Sequence, residues 1–227
     1  MSRVGILVFP GSNCERDVFT VLSKFSGLEP ELVWHTKNDL RGYDAFIIPG
    51  GFTYGDSLRA GAIAAHSPVI RELKKISEEN LPILGICNGF QILVESSLLP
   101  GALTVNSSHK FVCKSARLVV KNNSTPFTTM FKKDESISIP VAHGQGRYVI
   151  DNRAYRKLER NNQIVIRYAQ NDINGSMNNV AAVCNEQGNV MGMMPHPERA
   201  VWIQMDQDIR PEGSGVFESL RNHLLWH

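Results

Sequence analysis

No two of the four cysteines form a Cys-x-x-Cys pair: Cys14, Cys87, Cys113 and Cys184 are widely scattered. That removes the usual sequence basis for a zinc site or a thioredoxin-like redox centre, and no metal is expected in this chain. Long hydrophobic runs are also missing. No apolar stretch reaches the length needed to cross a bilayer, and residues 4–9 are too few for the apolar region of a secretory signal. Charge of one sign is not in excess, since 24 basic and 22 acidic residues give a net charge of +2. With no cluster of lysine and arginine, binding to nucleic acid by phosphate neutralisation is not expected. No G-x-x-x-x-G-K-[ST] loop or other nucleotide-phosphate signature occurs, and no internal repeat or low-complexity tract is visible. A cytoplasmic chain with reduced thiols and no membrane partner is the expectation.

What is present reads as α/β. Hydrophobic residues make up 42% and charged residues 20%, and 227 residues suit a single domain spanning 1–227. The first half alternates strand-like and helix-like segments. Strands are expected at residues 4–9, 31–35, 45–48 and 82–86, with a helix from a Ser12/Glu15 capping box to about Phe25. Val69, Ile70, Leu73 and Ile76 give a second helical face. Such alternation predicts a mostly parallel, twisted sheet with helices on both faces. The second half has β-type composition at 111–120, 136–143, 147–150, 163–169 and 180–185, with little helical signal between. It predicts an added antiparallel region packed against the parallel sheet. A hairpin turn is expected at 185–189 and a C-terminal helix around Phe217, Leu220, Leu224 and Leu225. Polar residues 121–125 form the only linker-like stretch.

The most informative segment is Gly85-Ile86-Cys87-Asn88-Gly89, which has the G-x-nucleophile-x-G form of a nucleophile elbow with cysteine in the serine position. A sharp turn after a strand lifts the side chain above the sheet end, and flanking glycines allow close backbone approach. The thiol then stands at a helix N-terminus, where free N–H groups favour a thiolate. Taken alone the segment also reads as core packing, because cysteine is among the most buried residue types. Cys14, Cys113 and Cys184 have no such setting and read as structural.

A cysteine nucleophile needs a base, and the base an orienting partner. In Pro195-His196-Pro197-Glu198-Arg199 the prolines favour extended or turn backbone, so His196 and Glu198 point the same way. Glu198 can accept one imidazole N–H while the other nitrogen faces Cys87. Alone, this segment reads as a surface turn with an ion pair; with the elbow, each supplies what the other lacks. His143, the rival base, has no acidic residue near it in sequence and reads as a pocket or loop residue. An oxyanion needs backbone donors, expected from Asn88 in the elbow and from Gly50-Gly51 after the third strand. A plain glycine turn is the competing reading there.

Together these residues resemble the class I, or triad, glutamine amidotransferase family, whose fold is flavodoxin-like. Within it, Phe9-Pro10-Gly11-Ser12-Asn13-Cys14, Gly50-Gly51-Phe52-Thr53-Tyr54-Gly55-Asp56, Cys87-Asn88-Gly89-Phe90-Gln91 and Gly192-Met193-Met194-Pro195-His196-Pro197-Glu198-Arg199 resemble the glutaminase subunits of phosphoribosylformylglycinamidine synthases. The resemblance implies a Cys87–His196–Glu198 triad and an oxyanion hole from the Gly51 and Asn88 backbone. It also implies glutamine as substrate, with Gln91, Gly50 and His143 near it. Ammonia would pass to a separate synthetase subunit that amidates formylglycinamide ribonucleotide in purine biosynthesis, with a small third subunit bridging the two. No cofactor is implied in this chain, with ATP and Mg²⁺ assigned to the synthetase. Two positions depart from the family pattern: Gln145 stands where glutamate is common, and the 171–176 loop lacks a usual proline. Two other readings remain open. A cysteine hydrolase of similar fold would usually carry histidine directly after the nucleophile, where Asn88 stands; a catalytically silent subunit would not need an intact triad. Arg59, Arg199 and Arg210 read equally as subunit contacts or solvated surface.

Overall fold

A computed structural model describes residues 1–169, 173–201 and 211–226. The chain begins with β1 (Ser2–Val8), α1 (Glu15–Leu22), β2 (Leu28–Trp34) and β3 (Ala45–Ile48). Next come α2 (Pro68–Ser77), β4 (Ile83–Ile86) and α3 (Asn88–Glu95). The second half contains β5 (Ala102–Thr104), β6 (Val112–Val120), β7 (Ser136–His143), β8 (Arg147–Val149) and α4 (Asn152–Arg160). It ends with β9 (Ile164–Tyr168), β10 (Val180–Cys184), β11 (Val190–Met193) and α5 (Ser214–Trp226). No helix among the described residues is long and apolar enough to cross a membrane.

One nine-stranded sheet runs in the order β2-β1-β3-β4-β11-β10-β9-β6-β7. Its first five strands are mutually parallel, in flavodoxin-like order. Every residue of β3, β4 and β11 is buried, which explains their near-continuous apolar sequence. Chain direction from β1 is outward to β2 and from β3 inward to β4, so right-handed crossovers send α1 and α2 to opposite faces.

Apart from β5 and β8, which pair with each other as a separate two-stranded ribbon, the antiparallel strands do not pack on this sheet as a separate layer. They continue it: the 185–189 turn folds β10 back on β11, and β9, β6 and β7 follow in antiparallel pairing. The period-2 pattern signals strands but carries no information on whether their edges join.

Three local expectations change. Ser12 does not cap α1; its Oγ accepts from Phe9 N–H at 3.0 Å, closing the turn after β1, and Cys14 is the N-cap residue. Residues 121–125 are no linker, because Asn122 and Thr125 are buried and Thr125 Oγ1 meets Thr128 Oγ1 at 2.7 Å. Helix α4 was not expected. Its core face is only Tyr155 and Leu158, too thin for a periodic signal, and Asp151 caps it by accepting from Arg153 and Ala154 N–H.

Candidate active site

Three neighbouring parallel strands, β3, β4 and β11, end at one sheet edge, and each continues directly into a candidate segment. Gly50-Gly51 follows β3, Cys87 follows β4, and His196 lies three residues beyond β11. Carboxyl ends of strands in open α/β sheets are where ligands bind.

Cys87 joins β4 to α3 at φ 50°, ψ −102°, a conformation that strains any residue with a Cβ. Both flanking glycines are sterically required. A Cβ on Gly89 would lie 2.0 Å from the Ile48 carbonyl oxygen, and one on Gly85 would lie 2.7 Å from the Gly89 carbonyl oxygen. Cys87 N–H donates to Met193 O at 2.7 Å, tying the elbow to β11. Its thiol lies 3.7 Å from Ala142 O on β7.

His196 and Glu198 are both buried, and His196 Nδ1 meets Glu198 Oε1 at 2.7 Å. His196 N–H donates to Pro140 O at 2.8 Å, so β7 holds the segment from its other side. His196 Nε2 has no hydrogen-bond partner among the described residues. Burial opposes a charged ring, but the charges of Glu198 and Cys87, with the Cys14 sulfur close to Nδ1, outweigh it. The imidazole pKa is raised well above its ordinary value. Cys87 and His196 line one cavity of about 250 Å³ with Cys14, Gly51, Phe52 and Arg199; Phe111, Cys113 and Ala142, from the β6–β7 side, form its far wall.

Gly51 is held by the loop after β1. Ser12 and Gly51 form an isolated bridge, Phe52 N–H donates to Gly11 O, and a Cβ on Gly51 would lie 2.7 Å from that same oxygen. Gly50, Gln91 and His143, expected near substrate, are not among the residues lining the cavity. Gly50 packs on the His196 ring, where a Cβ would lie 2.7 Å from Cε1. The Gln91 amide is engaged inside the protein by Asn88 and by the Gln145 carbonyl. His143 is buried with Nδ1 3.1 Å from Asn106 Oδ1; burial, then the charge of His196, lowers its pKa to about 4.

Cys14 departs from the structural reading of the sequence. Its thiol lies 4.0 Å from His196 Nδ1 and accepts from Arg199 Nη2 at 3.3 Å, while Cys113 is exposed at the cavity. Cys14 was visible in its motif, but nothing in sequence reports that the β1 loop returns to the end of β11. Asn106 gave no signal either. It is fully buried and joins Lys110 O, His143 O and Gly146 N–H. Cys14, His196 and Glu198 also form a compact Cys/His/carboxylate group. The 2.7 Å His196–Glu198 contact is a hydrogen bond, closer than two ligands around one tetrahedral zinc, and Arg199 stands against the thiol.

Neither Gln145 nor the described part of the 171–176 loop lines the cavity. Gln145 Oε1 accepts from Ala60 N–H at 3.4 Å. Asn171, Asp172 and Arg210 fall outside the described residues, while Asn174 is buried and donates to Gly146 O at 2.7 Å. Arg59 is exposed and pairs with Glu95.

A nucleophile elbow, a buried imidazole–carboxylate pair and glycine-rich backbone at one strand edge suit acyl transfer. Comparison with known proteins agrees. Residues 1–223 match the CobB/CobQ-like glutamine amidotransferase domain. The chain is 48% identical to the phosphoribosylformylglycinamidine synthase subunit PurQ of Chlorobaculum parvum, over 98% of this chain and 90% of that protein. A chain in the structure of PurLQS from Thermotoga maritima superposes with a TM-score of 0.88 at 48% identity, covering 98% of this chain and 99% of that one. A second Thermotoga maritima protein, a glutamine amidotransferase, shares the fold at 15% identity with a TM-score of 0.62, covering 98% and 97%. The chain belongs to the CobB/CobQ-like glutamine amidotransferase family.

Proposed function

We propose that this chain is the glutaminase subunit of a phosphoribosylformylglycinamidine synthase, releasing ammonia from glutamine by a thioester mechanism. The 48% identity to a PurQ subunit and the superposition on a PurLQS chain support the assignment to that synthase. The thioester mechanism rests mainly on the cavity shared by Cys87 and His196, with Glu198 2.7 Å behind the imidazole.

The Cys87 thiolate attacks the side-chain carbonyl carbon of glutamine. Negative charge on the carbonyl oxygen is met by the Gly51 and Asn88 N–H groups. His196, held toward its protonated form, gives its proton to the departing nitrogen, and ammonia leaves a γ-glutamyl thioester on Cys87. The neutral imidazole then takes a proton from water, the water oxygen attacks the thioester, and glutamate departs as the thiolate re-forms. Glu198 keeps Nδ1 occupied, so that Nε2 carries the proton traffic.

Ammonia passes to a synthetase subunit that uses ATP and Mg²⁺ to amidate formylglycinamide ribonucleotide, with a small subunit bridging the two. Phe52 and Phe111 line the cavity mouth, half-exposed, with ring centroids 6.4 Å apart, and form an apolar rim suited to a protein partner. Mixing the chain with its synthetase should give glutamine-dependent amidation. Cys87→Ala should abolish that activity and leave ammonia-dependent amidation intact. Glutamine-dependent turnover surviving in the variant would refute the mechanism.

A further inference from the structure

Cys14 occupies the N-cap of α1 but makes no capping bond with its side chain. That position favours serine, threonine, aspartate or asparagine, whose oxygens accept from N–H groups of the first turn. The Cys14 thiol is turned inward instead and is only 2% exposed. Its sulfur lies 4.0 Å from His196 Nδ1, and Arg199 Nη2 donates to it at 3.3 Å. The same guanidinium reaches Asp17 Oδ2 at 3.3 Å, in the first turn of α1. Backbone fixes the position from below, since Cys14 N–H donates to Gly50 O at 3.0 Å. Gly50 is pressed against both side chains: a Cβ there would lie 2.7 Å from His196 Cε1 and 3.2 Å from Cys14 Sγ.

The imidazole thus meets groups from several elements. Glu198, on its own segment, accepts the one hydrogen that Nδ1 can carry, at 2.7 Å. Cys14 is therefore no second acceptor of that proton. It walls the same edge of the ring with a polarizable sulfur that Arg199 holds in place. Burial opposes the charged ring, and Glu198, Cys87 and Cys14 favour it. His143, on β7, stays neutral because burial and then the charge of His196 lower its pKa to about 4. Arg199 brings a cation to the same side, with Asp17 as its counter-charge.

We propose that Cys14, held by Arg199, is a positioning residue that fixes the Nδ1 edge of His196 so that Nε2 stays turned toward Cys87. Cys14 is not acylated and takes no proton in the reaction. The proposal deepens the glutaminase reading and rests on it.

The test measures glutamate release by the full synthetase complex over a range of pH, with Cys14→Ala, Cys14→Val and Cys14→Ser. Cys14→Ala opens a gap beside the ring and should lower kcat about 10-fold with KM within about threefold, because a misaligned base weakens the transition state more than substrate binding. The sulfur favours the charged ring, so its loss lowers the imidazole pKa. The limb of the kcat/KM profile on which activity falls as the imidazolium loses its proton should move down by about half a pH unit. Cys14→Val fills the space without an acceptor and should show the same displacement, so the outcome does not depend on the alanine variant folding. Cys14→Ser keeps an acceptor for Arg199 and should recover kcat to within about threefold of wild type. An undisplaced limb in both apolar variants would make Cys14 mere packing and overturn the proposal. Unchanged kcat in Cys14→Ala, or a serine variant as impaired as the alanine one, would overturn it as well. Failure of the underlying glutaminase reading would show separately, as a wild-type complex that releases no glutamate.

Discussion

His143 is a buried base with no acid beside it. Burial lowers its pKa to about 4 from an ordinary 6.5, and the nearby charge of His196 adds to the effect. The unfolded chain therefore binds a proton that the folded chain refuses between those values. Stability from this group is full above pH 6.5 and declines as pH falls toward 4, by about 3 kcal/mol in all. Urea unfolding at a series of pH values should show that decline. His143→Asn can still donate toward Asn106 and should flatten it; an unchanged slope in the variant would contradict the assignment. Single residues were unevenly legible. Cys87, His196 and Glu198 drew notice because each sits in a motif with its own backbone logic. The place of Cys14 at the site, despite its motif, and the whole role of Asn106 were not legible, because their neighbours come from segments roughly 40 to 180 residues away.

At the scale of elements, the turn between β4 and α3 combines a strained residue with two glycines that cannot carry a side chain. Gly89→Ala would force its methyl group against the Ile48 carbonyl, with backbone on both sides unable to yield. We expect a cost of at least about 2 kcal/mol, from overpacking against rigid structure. A melting temperature within a degree of wild type would show that the turn is looser than described. The elbow was legible because its constraint is local. Strands β3, β4 and β11 were legible because burial on both faces makes them continuously apolar. Helix α4 was not, with two buried residues on a charged helix, and neither was the short β5, only three residues long.

For the whole molecule, the consequential feature is adjacency. The 185–189 turn returns β11 beside β4, so a segment more than a hundred residues after Cys87 ends next to it. The far edge of the sheet then comes back over the site, with Pro140 holding His196 and Ala142 facing the Cys87 thiol. Alternation of strands and helices in the first half revealed the parallel sheet, and motif chemistry suggested which ends meet. Nothing in the β-rich half indicated that its strands extend the same sheet and supply a wall of the cavity. That pairing is long-range, and a period-2 pattern is equally satisfied by a separate layer.

The central claim is that Cys87, alone among four cysteines, is the acylated nucleophile. Incubation of the assembled complex with a glutamine-like electrophile, followed by peptide mass mapping, tests it directly. The account predicts one label, on Cys87, in step with loss of glutaminase activity and blocked by excess glutamine. A label on Cys14 or Cys113 that abolishes activity while Cys87 stays unmodified would contradict it.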